Sequence, residues 1–344
     1  MGVLSVRKRL ALEIARKMRN NLKELHPLRQ LFWECTLRCN LHCKHCGSDC
    51  RRMPDIKDMP AADFLRVVDS ITPHINPNEV SIIMTGGEPL MREDLEEVGL
   101  ELYRRGYPWG IVSNGLYLTG RRLERLMASG LHSITISLDG FEQEHNWLRG
   151  HPESYGRAVE AIKMLVHEPE LVWDVVTCVN HRNYPYLDEL KISLYHIGVR
   201  QWRLFTIFPM GRAASHPEFQ LSNDEFTGIM EFIKRIRKEG KMHASYGCEG
   251  FFSCNAGISV GSILADGAIS ACPSIRSDYH QGSIYRDDFM DVWENRFQSF
   301  RNREWMKKGL CADCSLFRYC EGNGMHLRDN KGELLFCHLD RLHS

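Results

Sequence analysis

The chain lacks any bias of charge: 44 Lys and Arg are matched by 44 Asp and Glu over 344 residues. A balanced protein has no global field to favour nucleic acid or a membrane. It also lacks an uninterrupted run of about 18 apolar residues, which argues against a transmembrane span. No apolar segment typical of a secretory signal precedes the first helical pattern, so the expected compartment is the cytoplasm. Internal repeats and low-complexity segments are likewise missing. Cysteine, in contrast, is abundant, with 13 residues, an odd number. Without an export signal, disulfides explain that number poorly and metal ligation explains it better. With 43% hydrophobic and 26% charged residues, the chain can bury a core and form one large or two moderate domains.

The first 30 residues depart from the charge balance, carrying eight basic residues against Glu13 and Glu24. "VRKRLALEIARKMRNNLKEL" places Leu10, Ile14 and Met18 on one helical face with basic residues around it. Such a helix is expected to pack on the main domain, the alternative being a partner-docking or membrane-surface role.

From about residue 27 to residue 240, short apolar runs alternate with longer helical patterns. The runs are "LFWECT", "EVSIIMTGG", "WGIVSNG", "SITISLDG", "WDVVTCVN" and "QWRLFTIFP", each rich in Val, Ile, Thr or aromatics. Helical stretches such as "AADFLRVVDSI" and "GRRLERLMASG" lie between them, two of them stopping at Gly106 and Gly130. Six strand–helix units in a row imply an α/β fold with a parallel sheet, either open or an incomplete barrel. In both, functional residues gather where strands end, and the unusual residues sit there. Cys39, Cys43 and Cys46 follow the first run, "TGGEP" ends the second, "SNG" the third and "SLDG" the fourth. Beyond residue 240 the pattern changes: "GISVGSILADGAISACP" reads as a hairpin turning at Asp266-Gly267, and the remainder is loop-rich and ordered by metal. The expected organisation is a basic helix over 1–26, a barrel domain over 27–240 and a cysteine-rich domain over 241–344.

A cuboidal iron–sulfur cluster needs four ligands, and Cys39-x3-Cys43-x2-Cys46 offers three on one loop, leaving one iron free. The spacing alone leaves zinc open too, with Cys35, Cys50, His42 or His45 as the fourth ligand. The order of motifs resembles the radical S-adenosylmethionine (SAM) enzymes, whose three cysteines follow a first strand in this spacing. The resemblance implies a partial (β/α)6 TIM barrel. It also implies that SAM chelates the open iron, and that an electron from the cluster then yields a 5′-deoxyadenosyl radical that abstracts a substrate hydrogen. His45 stands where the family usually has an aromatic beside the adenine. By the same resemblance, Gly86, Gly87 and Glu88 bind the SAM amino group, and Ser137 and Asp139 meet the ribose or the methionyl end. Ser113 and Asn114 line the site, and Arg149 meets the SAM carboxylate.

The last hundred residues resemble the SPASM extension of peptide-modifying radical SAM enzymes. The resemblance assigns Cys311, Cys314, Cys320 and Cys337 to an outer auxiliary cluster, and Cys248, Cys254 and Cys272 to an inner one. That makes three [4Fe-4S] clusters in all. The inner cluster's fourth ligand falls at Gly324, so an open iron, a substitute such as His326 or Glu321, or no cluster are all open. Cys35, Cys50 and Cys178 are read as structural.

The implied function is oxidative modification of a peptide or protein side chain, by cross-linking or dehydrogenation. Asp278 is a candidate substrate-side base. Its implied partners are a precursor peptide or small lipoprotein and an electron donor such as flavodoxin or ferredoxin, with no nucleic acid. Rivals are sulfatase maturation, small-molecule or tetrapyrrole chemistry, and an iron–sulfur electron carrier without chemistry of its own.

Overall fold

The computed structural model describes residues 5–247, 254–275 and 279–342. All six expected strands form: β1 (Gln30–Thr36), β2 (Ser81–Gly86), β3 (Trp109–Ser113), β4 (Leu131–Ser137), β5 (Val172–Val179) and β6 (Gln201–Thr206). Each pairs in parallel with the next. A further parallel strand, β7 (His243–Tyr246), extends this edge. It is short and polar, which is why it carries little signal in the sequence.

On the other side of β1 the expected hairpin joins the same sheet. Strand β8 (Val260–Ile263) lies parallel to β1, and β9 (Ala268–Ser270) returns antiparallel to it, followed by β10 (Gly282–Ser283). The turn falls where Asp-Gly predicts: Asp266 accepts from the Ala268 amide at 3.0 Å, and Gly267 has φ +85°. Among the described residues ten strands therefore share one sheet, in the order β10-β9-β8-β1-β2-β3-β4-β5-β6-β7, and the sheet continues past residue 240.

Helices α2 (Ala61–Ile71), α3 (Leu95–Arg104), α4 (Gly120–Ala128), α5 (Glu142–Arg149), α6 (Ser154–Leu165), α7 (Leu187–Ile197) and α8 (Asn223–Glu239) supply the crossovers. Their apolar stripes cover the sheet, and Trp33 of β1 stacks on Phe64 of α2 with ring centroids 4.1 Å apart. Gly99 in α3 shows what that packing demands. A Cβ there would lie 2.2 Å from the Trp109 ring, so the loss of helix propensity, about 1 kcal/mol, is offset by close helix–sheet contact. Gly106 and Gly130, where helices were expected to stop, both have positive φ.

Helix α1 (Val6–Leu25) departs from expectation. It docks through its polar face: Arg19 and Lys23 pair with Glu321, Glu13 accepts from the Tyr319 hydroxyl, and Trp293 Nε1 donates to the His26 carbonyl. The apolar face expected to pack inward points to solvent instead. After α9 (Phe289–Asn295) the described chain has only short helical turns. Buried arginines tie these turns together where no ladder does: Arg303 donates to the carbonyls of Phe300 and Asn323, and Arg328 to those of Gly322 and Gly332.

Candidate active site

Because β1 to β6 are parallel, their C-terminal ends and following loops meet at one edge of the sheet. A cavity of about 340 Å³ opens there. It is lined by Cys39, Cys43 and Cys46, by Gly86 and Gly87, by Ser113 and Asn114, and by His45, Ser137 and Arg149. Ten of the twelve residues assigned to SAM or its cluster thus converge, while Glu88 and Asp139 are fully buried behind the wall.

The cysteine loop is held by backbone. Cys39 N–H donates to the Arg51 carbonyl at 2.8 Å, and Lys44 N–H to the Leu148 carbonyl at 2.9 Å. The Arg212 guanidinium, from the loop after β6, donates to the carbonyls of Cys43 at 2.7 Å and Cys50 at 2.8 Å. Burial pushes the Cys39 thiol up to about 12 and raises Cys43 as well. A hydrogen bond from Cys50 pulls Cys46 down. Three thiols on one pinned loop, packed as one group, form a soft donor set that fits an iron–sulfur cluster. The buried Nδ1 of His45 has no hydrogen-bond partner among the described residues, which fits a polar ligand beside the loop. Cys35 is turned away and donates to the Thr85 carbonyl, a structural role.

The glycines of "TGGEP" answer first to the chain itself. A Cβ on Gly86 would sit 2.1 Å from the Thr36 carbonyl oxygen, and one on Gly87 2.1 Å from that of Arg38. Their bareness lets the second loop lie against the exit of β1. Glu88 is fully buried. Its carboxylate accepts from Ser113 Oγ at 2.9 Å, Leu90 N at 3.1 Å and Asn114 N at 2.7 Å. Burial nevertheless raises it to about 7. Glu88 thus fixes the β3 loop, which presents Asn114 to Asn40 at 2.7 Å.

Asp139 is buried behind the wall as well. It accepts from Arg149 Nε at 2.6 Å and from the Cys178 amide at 2.8 Å. Burial works against both charges, but the pair holds Arg149 protonated and Asp139 below the usual carboxylate range. Arg149 is a buried residue at the end of α5, where Gly150 turns left-handed and a Cβ would lie 2.9 Å from the His42 carbonyl oxygen; the Arg149 guanidinium reaches Cys43 Sγ at 3.9 Å. Ligand atoms of His45, Asp139 and Cys178 lie within 4.8 Å of one another, but Arg149 already neutralises that corner.

Several lining residues were missed from the sequence. Cys178, read as core, faces the cavity, as do Glu34, Phe205, Phe208 and Arg212. The available signal was "GRA" directly after the sixth apolar run. Gly211 has φ +56°, and a Cβ there would lie 2.5 Å from the Cys46 carbonyl oxygen.

Pro273, Ser274 and His326 close the cavity from the C-terminal side. Cys311, Cys314 and Cys337 lie near enough to Cys320 to raise its thiol, which burial chiefly pushes up to about 11. Arg328 reaches Cys311 Sγ at 3.7 Å. Four thiols in one group fit the outer cluster. For the inner set, Cys254 and Cys272 are half-buried, whereas Cys248 and Asp278 lie outside the described residues. Glu321 is taken by Arg19 and Lys23. The His326 ring fills the space a Gly324 side chain would need, its Cε1 2.5 Å from the ideal Cβ position.

The Radical SAM superfamily model matches residues 33–191, and that of an iron–sulfur cluster-binding domain, SPASM, matches residues 254–315. The chain carries a radical SAM domain followed by a SPASM domain. Among its relatives, the AdoMet-dependent heme synthase of Oleidesulfovibrio alaskensis is 25% identical, the match spanning 90% of this chain and 86% of that protein. Mycofactocin maturase MftC of Mycolicibacterium smegmatis is 28% identical, over 86% of this chain and 77% of that protein. Streptococcus suis SuiB bound to its precursor peptide SuiA shares the fold, with a TM-score of 0.70 at 16% identity, covering 89% of this chain and 74% of that one. The structure of anSMEcpe with AdoMet and the Cp18Cys peptide does so with a TM-score of 0.72 at 18% identity, over 92% and 95%. This radical SAM enzyme therefore joins a SAM-type barrel to a SPASM domain, and the two domains imply SAM and iron–sulfur clusters. No described helix is long and apolar enough to cross a membrane.

Proposed function

We propose that this radical SAM enzyme oxidatively modifies a side chain of a peptide or protein. The observation that carries the reading is the composition of the cavity wall. Beyond the cysteine loop it is faced by Phe205, Ile207, Phe208 and Met210, an apolar surface suited to one inserted side chain. Both arginines in the described lining are committed to the protein, Arg149 to Asp139 and Arg212 to Asp49 and backbone carbonyls. A tetrapyrrole bearing several carboxylates would call for free cations there.

Cys39, Cys43 and Cys46 would hold the cluster that, with SAM, supplies a hydrogen-abstracting radical. The protein's own part is to orient and to exclude water. Asn114 and Ser137 present polar groups toward the ligand side, and the Phe208 ring, edge-on to His326 at 4.5 Å, lines the same cavity. Cys311, Cys314, Cys320 and Cys337 would hold an outer auxiliary cluster able to accept the second electron of the oxidation. An inner cluster on Cys248, Cys254 and Cys272 would bring the total to three. A flavodoxin- or ferredoxin-type donor and a cytoplasmic setting complete the reading.

Tetrapyrrole chemistry is the second reading, supported by the heme synthase relatives. Anaerobic incubation of reconstituted enzyme with SAM and reductant separates the two. Peptides encoded beside this gene should lose hydrogen by mass spectrometry, and an iron porphyrin carrying propionates should be unchanged. Conversion of the porphyrin with inert peptides would replace the first reading by the second.

A further inference from the structure

Helix α1 carries a second, separate feature. Its docked face uses Arg19, Lys23 and Glu13 against the C-terminal turns. The opposite face shows Val6, Leu10, Ile14 and Met18, which are 83%, 62%, 53% and 67% exposed, with Leu25 in line at 75%. Residues four apart advance around the helix, so these side chains spread into a broad band rather than the narrow seam of a coiled coil. Leaving five large apolar side chains in water on one helix is unfavourable unless something covers them.

Charge decides what that is. Arg7, Lys8, Arg9 and Lys17 are exposed, and none has a carboxylate partner among the described residues, in contrast to Arg16, Arg19 and Lys23. Glu24 is the exposed acid of the helix that sits outside these pairs. Because the whole chain is neutral, this is a local cationic patch set around an apolar band. A second copy docked helix to helix would bring like charges together. An anionic bilayer surface satisfies both features: the apolar band enters the acyl boundary while the long basic stems lie along it and place their heads among the phosphates.

We propose that α1 is a membrane-surface helix that seats the enzyme on anionic lipid, with the docked face keeping the cysteine-rich region rigidly attached. The ion pairs to Glu321, immediately after Cys320, would hold the C-terminal domain at a fixed height above the bilayer.

The test is flotation of the cluster-loaded full chain with vesicles, under anaerobic conditions. Vesicles of phosphatidylglycerol in phosphatidylcholine should carry the protein, pure phosphatidylcholine vesicles should not, and raised salt should release it. Leu10→Asp with Ile14→Asp should abolish flotation while 5′-deoxyadenosine formation stays at the level of the unmodified protein. Arg7→Ala and Lys17→Ala preserve helix propensity and should each weaken binding about fivefold. Failure to float with anionic vesicles, or flotation that survives the double aspartate change, would overturn the proposal. So would a dimer, found by sedimentation equilibrium without vesicle binding, that dissociates on the same change; the band would then be an interface between copies.

Discussion

Cys39, Cys43 and Cys46 stand on one loop pinned to a ten-stranded sheet, whereas Cys311, Cys314, Cys320 and Cys337 come from turns with no sheet beneath them. The first group inherits its geometry mainly from backbone, through bonds from the Cys39 and Lys44 amides and the close approach of Gly86 and Gly87 to the β1 exit, with Arg212 clamping the Cys43 and Cys50 carbonyls. The second depends on side chains, chiefly the buried Arg303 and Arg328 reaching loop carbonyls and α1 gripping Glu321. A thiol set on a ladder keeps its shape without metal. One hung from arginines and turns relies on the metal for much of its order.

The largest expected effect follows from that contrast. Cys311→Ala should remove about four irons and expose residues 298–342 to limited proteolysis, while the barrel stays protected and still forms 5′-deoxyadenosine. Equal loss of protection in the barrel would mean that the two regions are not independent. Arg328→Met comes next. It leaves the buried Gly322 and Gly332 carbonyls without their donor, costing about 3 kcal/mol. Urea titration should show this as earlier loss of C-terminal structure.

The smallest effect belongs to the barrel. Glu88→Gln keeps one oxygen for Leu90 and Ser113 but sets an amide NH2 against the Asn114 N–H, at a cost of about 1–2 kcal/mol. Burial raises Glu88 from 4.5 to about 7. Over that interval the folded state binds more protons than the unfolded one, so this group's contribution to stability falls as pH rises. The gap between the unmodified protein and the Gln variant should therefore narrow from pH 4.5 to about 7, as read from urea midpoints. A gap that widens would show that Glu88 is ionised throughout.

Much of the barrel was legible because buried parallel strands leave unbroken apolar runs. "LFWECT" through "QWRLFTIFP" all became strands, and the motifs at their ends met at one edge. The roles of individual side chains were harder to read. Glu88 and Asp139 looked like ligand-facing acids, yet each spends its oxygens on protein donors; which way a carboxylate points is set by tertiary contacts that no spacing encodes. Arg212 and Cys178 were missed for the same reason. Strand β7 has too few apolar residues to announce itself, and α1 showed the right amphipathic pattern with the opposite face docked, since a half-buried salt-bridge partner such as Glu321 is nearly 300 residues away in sequence.

The most direct test of the central claim, that the β1 loop carries a SAM-cleaving iron–sulfur cluster, is the yield of 5′-deoxyadenosine from anaerobically reconstituted protein given SAM and a reductant. The unmodified protein should form it, and the variant with Cys39, Cys43 and Cys46 all changed to Ala should form none while losing about four irons and keeping those bound by the C-terminal cysteines. Undiminished 5′-deoxyadenosine from the triple variant, or zinc in place of iron in the unmodified protein, would contradict the account.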